Sequence, residues 1–369
     1  MKKRGFFALA VAALSLLRPA DVIAQSSGEI AAAIDRDLRA AEAAGFGGAV
    51  IVQQGGRTLL RRGYGLANRR SNLRFTPATV AQIGSITKTF TGLAVAQLAA
   101  AGRIDLDATV GTYLRDAPEP VRSIILRDLA VHRSGLMDAC ADDFDRIGTA
   151  RLTTHCMAQP LAHPRGENHY SNMGYSILAR IVEAVSGEEW EAYLRRHIWT
   201  PLTMPATGFR FAPNGRHAFA HGYRDGVGQP VISDQIRALQ GDDWALRGNG
   251  GIQASAEDMM RLLNALVSGP GVSAPVRRLM LSPQGPLEDG VAEGLGLFFR
   301  NDEQGALWRV GHAGSDGVFM SYVAWFPQSG TLLYFVGNNG EAAVRPVLQS
   351  VLRQAARFRA PAAASPPGA

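Results

Sequence analysis

Lysine is almost missing from this chain of 369 residues: there are three, and two of them, Lys2 and Lys3, stand at the start. The other side-chain cations are arginine, bringing Lys+Arg to 38 against 32 Asp+Glu. Cysteine is as scarce, with Cys140 and Cys156 alone. No Cys/His cluster has zinc spacing and there is no H-E-x-x-H, so neither a metal nor a cofactor is expected. The arginines form no stripe interleaved with aromatics, so nucleic acid is not an expected partner. No serine has glycine both two before and two after it. Ser315 has Gly317 but Ala313, and no serine completes the G-x-S-x-G elbow of α/β-hydrolases.

What is present begins with Met1-Lys2-Lys3-Arg4, an apolar run from Phe6 to Leu17, and Val22-Ile23-Ala24. A basic start, a short apolar run and a small-residue end predict a secretory signal peptide over residues 1–24. The run is too short for a stable membrane span, and no longer one follows. The expected product is an exported protein, periplasmic or secreted, with no stable span after processing. Losing Lys2, Lys3, Arg4, Arg18 and Asp21 leaves 34 basic and 31 acidic residues, a net charge of +3. In an oxidising compartment Cys140 and Cys156 can form one disulfide or stay as separate buried thiols, and spacing does not choose between them.

Hydrophobic residues at 46% and charged residues at 19% suit one large core. Residues 28–44 read as an amphipathic helix. The runs 49–53 and 58–62 read as strands joined through Gly55-Gly56. A mostly helical stretch follows, with helices over 85–100, 174–186 and 188–197, and one to about Leu266 after the capping-box-like Ser255-Ala256-Glu257-Asp258. Residues 216–248 read as long loops. Strand character returns over 306–310, 318–326 and 331–337, with turns at 314–317 and 328–330, and a last helix covers 341–359. The Ala/Pro/Ser-rich tail 360–369 reads as disordered. Neither strand set closes a core alone, so both are expected in one antiparallel sheet. The expected domain spans 25–359, with a sheet lobe over 25–75 and 290–359 and a helical lobe over 76–289.

Chemistry concentrates at Gly84-Ser85-Ile86-Thr87-Lys88. Ser85 stands at a predicted helix start and Lys88 follows at i+3, on the same face. A serine hydroxyl needs a base to become a nucleophile, and a lysine with a lowered pKa is such a base where arginine is not. S-x-x-K alone is common; that Lys88 is the sole lysine left after the leader gives it weight. Tyr170-Ser171-Asn172 places a phenol and an amide on one side of a loop. A nearby lysine cation can lower the pKa of Tyr170, which can then shuttle a proton, and the Asn172 amide can bind both Lys88 and a substrate carbonyl. Gly311-His312-Ala313-Gly314-Ser315 offers small residues, Gly314 among them, against which a substrate backbone can lie. The amides of Ser85 and Ser315 are the expected oxyanion donors.

In this order S-x-x-K, Y-x-N and H-x-G resemble the motifs of serine hydrolases of the class C β-lactamase and penicillin-binding-protein type, over nearly all the chain after the leader. Leu129 to Leu136, Pro164-Arg165-Gly166, Pro201 to Met204 and Gly250-Gly251-Ile252 are similar to that family too. The resemblance implies an α+β fold, an antiparallel sheet flanked by helices with an all-helical lobe and the site between them. It also implies Ser85 as nucleophile, Lys88 and Tyr170 sharing acid and base work, Asn172 orienting them, and His312 facing the leaving group or a substrate carboxylate. Class C β-lactamases usually carry lysine where this chain has His312, so the resemblance leans to the family's esterases and D-amino-acid peptidases. The expected substrates are a small-molecule ester, an amide, a D-amino peptide or a β-lactam. The alternatives are a class C-type β-lactamase and a sensor that is acylated by β-lactam or wall peptide without turnover.

Overall fold

The computed structural model describes residues 26–212 and 216–359. The leader expected over 1–24 and the tail over 360–369 lie outside them.

Alternating apolar residues build the sheet. Strands β1 (Gly48–Gln54) and β2 (Arg57–Tyr64) form the early hairpin; β3 (Val291–Glu293), β4 (Phe298–Asn301), β5 (Leu307–Ser315), β6 (Met320–Phe326) and β7 (Thr331–Gly337) form the late set. They join in one antiparallel sheet of order β3-β4-β5-β6-β7-β1-β2. The seam is β1 against β7, running from Gly48 opposite Gly337 to Gln54 opposite Thr331.

Period two then decides which side chains face which layer. Val50, Val52, Leu333 and Phe335 face helices α1 (Ser27–Ala43) and α5 (Glu341–Ala355) through Ile30, Ile34, Leu38, Val344, Leu348 and Val351. Ala49, Ile51, Leu332, Tyr334 and Val336 face the other way, into the larger core shared with α4 (Ala256–Val267). Ser26 caps α1 in a full capping box with Glu29, satisfying two otherwise open amides.

Helix α2 (Thr87–Ala100) is buried over eleven of its fourteen residues, so it is a central rod rather than a surface helix. Its threonines fasten it on three sides. Thr87 accepts the amide of Ile252 at 3.2 Å, Thr89 donates to the carbonyl of Gly296 at 2.7 Å, and Thr91 donates to that of Gly248 at 2.7 Å. Helix α3 (Asn172–Ser186) starts on the Ser171 cap and stops at Gly187, whose φ of 78° ends it.

Several segments differ from expectation. Residues 216–248 hold a short hairpin, Tyr223–Arg224 with Val227–Gly228, and a helix, Ile232–Ala238. Strands β3 and β4 were not predicted; at three and four residues they give too short an alternation to read. Gly314 and Ser315 belong to β5 rather than a turn, because Ser315 pairs with Met320. The helix expected over 188–197 starts at Trp190, and the last helix ends at Ala355.

Candidate active site

Ser85 sits in a single 3-10 turn, Gly84–Ile86, that leads straight into α2. The turn rests on the end of β5 with no space for side chains between the two. A Cβ on Gly314 would lie 1.8 Å from the carbonyl oxygen of Ile83, and one on Gly84 (φ +53°) would lie 2.5 Å from the amide nitrogen of Ser315. Ser321 pins the junction from β6 by donating to the Ile83 carbonyl at 2.8 Å. The two glycines thereby bring the backbone around Ser85 and the Ser315 amide side by side.

Lys88 lies one turn below, fully buried, and its Nζ reaches three oxygens: Ser85 Oγ at 3.2 Å, Asn172 Oδ1 at 2.5 Å and the carbonyl of Asn249 at 2.9 Å. Burial lowers its pKa to about 7, although Asp138 and Asp143 act to raise it. An amine with this affinity gains and loses its proton near neutral pH.

Tyr170 covers the pair. Its ring centroid is 4.9 Å from Lys88 Nζ, and its hydroxyl hydrogen-bonds with Ser85. The lowering of its pKa that a lysine cation can cause is not found. Burial raises it well above the ordinary phenol value, more than the bond with Ser85 offsets, because a buried phenolate loses more hydration than the site returns. Tyr170 therefore holds its proton at neutral pH.

His132 packs against Tyr170 with its ring tilted by 33° and 4.3 Å between ring centroids. Its Nδ1 accepts the amide of Ser171 at 3.1 Å, and burial holds its pKa well below the usual imidazole value. On the strand side, His312 is 3% exposed, and its Nδ1 lies 2.5 Å from the carbonyl of Ala313. A carbonyl only accepts, so Nδ1 carries the proton and Nε2 is a bare acceptor, buried without a partner. Burial, and next Lys88, bring the His312 pKa down to about 3. His312 is thus a neutral acceptor, not a cation.

All the residues expected from sequence, Ser85, Lys88, Tyr170, Asn172, His312, Gly314 and Ser315, come to this one region. Four groups were missed. The carbonyl of Asn249 bonds Lys88 through backbone, which any residue supplies, so no side-chain signal exists. Asp138 accepts from Asn172, His132 packs against Tyr170, and Glu293 acts on Tyr170 through its charge; burial raises Glu293 to about 7. Only His132 carried a hint, standing in the family-like segment Leu129 to Leu136. Among the described residues no cluster of His, Cys, Asp or Glu could hold a metal ion.

Cys140 and Cys156 form a disulfide, with Cα atoms 5.5 Å apart. No helix among the described residues is long and apolar enough to cross a membrane.

A sequence model of the Beta-lactamase family matches residues 33–356. Among curated relatives, PbpX of Bacillus subtilis (strain 168), named for the penicillin-binding proteins, is 29% identical over 65% of this chain. Esterase EstB of Burkholderia gladioli is 28% identical over 61% of it. The chain spans 59% of the length of PbpX and 66% of EstB. A solved beta-lactamase/D-alanine carboxypeptidase from Pseudomonas syringae superposes with a TM-score of 0.74 at 16% identity, covering 88% of this chain and 99% of that one. The octameric penicillin-binding protein homologue from Pyrococcus abyssi gives 0.70 at 23%, covering 88% and 77%. At these identities the two structures show the fold: an α+β antiparallel sheet flanked by helices.

Proposed function

The chain belongs to the Beta-lactamase family, and from that premise we propose that it is a serine hydrolase that cleaves an ester or amide through an acyl-enzyme on Ser85. The observation that carries this is the set of oxygens around Lys88 Nζ. Two of them, Asn172 Oδ1 and the Asn249 carbonyl, only accept, whereas the Ser85 hydroxyl can also donate. A neutral Lys88 satisfies its two N–H groups on the two carbonyl oxygens and turns its lone pair to the Ser85 O–H.

In acylation Ser85 Oγ bonds the substrate carbonyl carbon and its proton passes to Lys88. The amides of Ser85 and Ser315 receive the oxyanion. Tyr170, still protonated and bonded to Ser85, hands its proton to the leaving alcohol or amine and recovers one from Lys88. Water then hydrolyses the ester on Ser85 by the reverse relay. This arrangement favours Lys88 for the first proton, since its affinity is near neutrality and that of Tyr170 is far above it.

A neutral His312 does not supply a fixed charge for a substrate carboxylate. It suits the leaving-group side, where Nε2 accepts a hydrogen bond, which favours short esters, and D-amino-acid peptides without a carboxylate at that place, over β-lactams. The test is steady-state turnover of nitrocefin, short-chain p-nitrophenyl esters and D-Ala-D-Ala peptides by wild type and Ser85→Ala. Ester or peptide turnover abolished by Ser85→Ala supports the reading. Nitrocefin as the best substrate would replace it with a class C-type β-lactamase, and acylation without turnover with a sensor.

The disulfide, together with the predicted leader, supports an exported protein. Cell fractionation with N-terminal sequencing of the product checks this, and a cytoplasmic protein retaining Met1 would contradict it.

A further inference from the structure

The amide of Asn172 must face Lys88 with its oxygen, because an NH2 turned to the same place would confront a donor with a donor. Asn172 cannot ensure this itself, since a half-turn of its side chain exchanges oxygen and nitrogen at little cost. At the other end of that amide lies Asp138. Its Oδ1 accepts both the Nδ2 of Asn172, at 2.9 Å, and the backbone amide of Asn172, at 3.2 Å. Its own carbonyl accepts the amide of Met173 at 2.9 Å, so the same residue grips the first turn of α3 twice over. A carboxylate only accepts, so it can hold the NH2 end of Asn172 and no other.

We propose that Asp138 is a positioning residue, whose carboxylate locks the Asn172 amide with its oxygen toward Lys88. The proposal rests on Lys88 as the base for Ser85. Asp138 also acts directly on Lys88, favouring its charged form. The other groups facing Lys88 are Asp143 on the same loop, His132, Tyr170 and Tyr175 on the helical side, and His312 on β5. Both histidines are neutral and both tyrosines protonated near pH 7, so Asp138 and Asp143 are the charges that Lys88 senses there.

The test is the pH profile of ester kcat/KM in wild type, Asp138→Ala and Asp138→Asn, with labelling of Ser85 by a fluorophosphonate in each. Asp138→Ala removes the lock and the charge, and is expected to lower the plateau roughly 10- to 100-fold. Asp138→Asn keeps an acceptor oxygen and should recover most of that loss. In both, the acid limb moves to lower pH, because Lys88 loses a charge that favours its protonation. A purely structural role would lower the plateau without moving the limb. An acid limb unmoved in Asp138→Asn, or an Asp138→Ala enzyme with the wild-type profile, overturns the proposal. Should Asp138→Ala fail to fold, the limb in Asp138→Asn still decides. Wild type that takes no label on Ser85 would instead remove the acyl-enzyme reading.

Discussion

At the scale of single residues, the chain's scarcity of lysine and the burial of Lys88 describe one device. A buried ammonium is costly, and here burial lowers the pKa from 10.5 to about 7. Below that pH the amine is protonated and cannot take the proton of Ser85; above it the lone pair is free. The kcat/KM for a neutral ester should therefore rise with pH through about 7 and level off. A profile flat from pH 5 to 9 would argue against Lys88 as base. Lys88→Arg keeps the charge but not a releasable proton, and is expected to lose about 10³-fold or more of kcat/KM. His312→Lys should shift relative kcat/KM toward carboxylate-bearing substrates, read from paired substrates with and without that group; an unchanged ratio contradicts the place given to His312. That Ser85, Lys88, Tyr170 and His312 come to one region was legible in sequence, because S-x-x-K, Y-x-N and H-x-G follow one another in the order of the family they resemble. The tautomer of His312 and the protonation of Tyr170 were not, because both depend on burial and on neighbours distant in sequence.

At the scale of elements, the site depends on one backbone junction. The turn Gly84–Ile86 lies on the end of β5 so closely that Gly314 tolerates no Cβ. Gly314→Ala should separate the two, costing about 1–3 kcal/mol or more of stability and lowering ester turnover, as read by urea denaturation and steady-state kinetics. Wild-type stability in that variant would mean the junction is looser than described. The helix after Ser85 and the hairpin β1–β2 were readable from periodicity and from Gly55-Gly56. β3 and β4 were not, since pairing across the sheet, not local pattern, holds them. The helix Ile232–Ala238 was hidden by its polar composition; only Ser233 and Ile236 are buried.

At the scale of the whole molecule, the sheet joins residues some 290 positions apart, with Gly48 opposite Gly337. That closure was legible because neither strand set could bury a core alone. The Cys140–Cys156 bridge closes a loop with a sequence separation of 16, and Asp138 lies just outside it. Replacing both cysteines with serine should cost about 3 kcal/mol, seen as a lower urea midpoint than the oxidised wild type; an unchanged midpoint would contradict a stabilising role for the bridge. The central claim is narrower than the fold and is tested on one atom. Intact-mass analysis after a fluorophosphonate probe should show a single adduct on wild type, mapped to Ser85, and none on Ser85→Ala. A wild type that gains no adduct, or a Ser85→Ala protein that gains the same one, would contradict it.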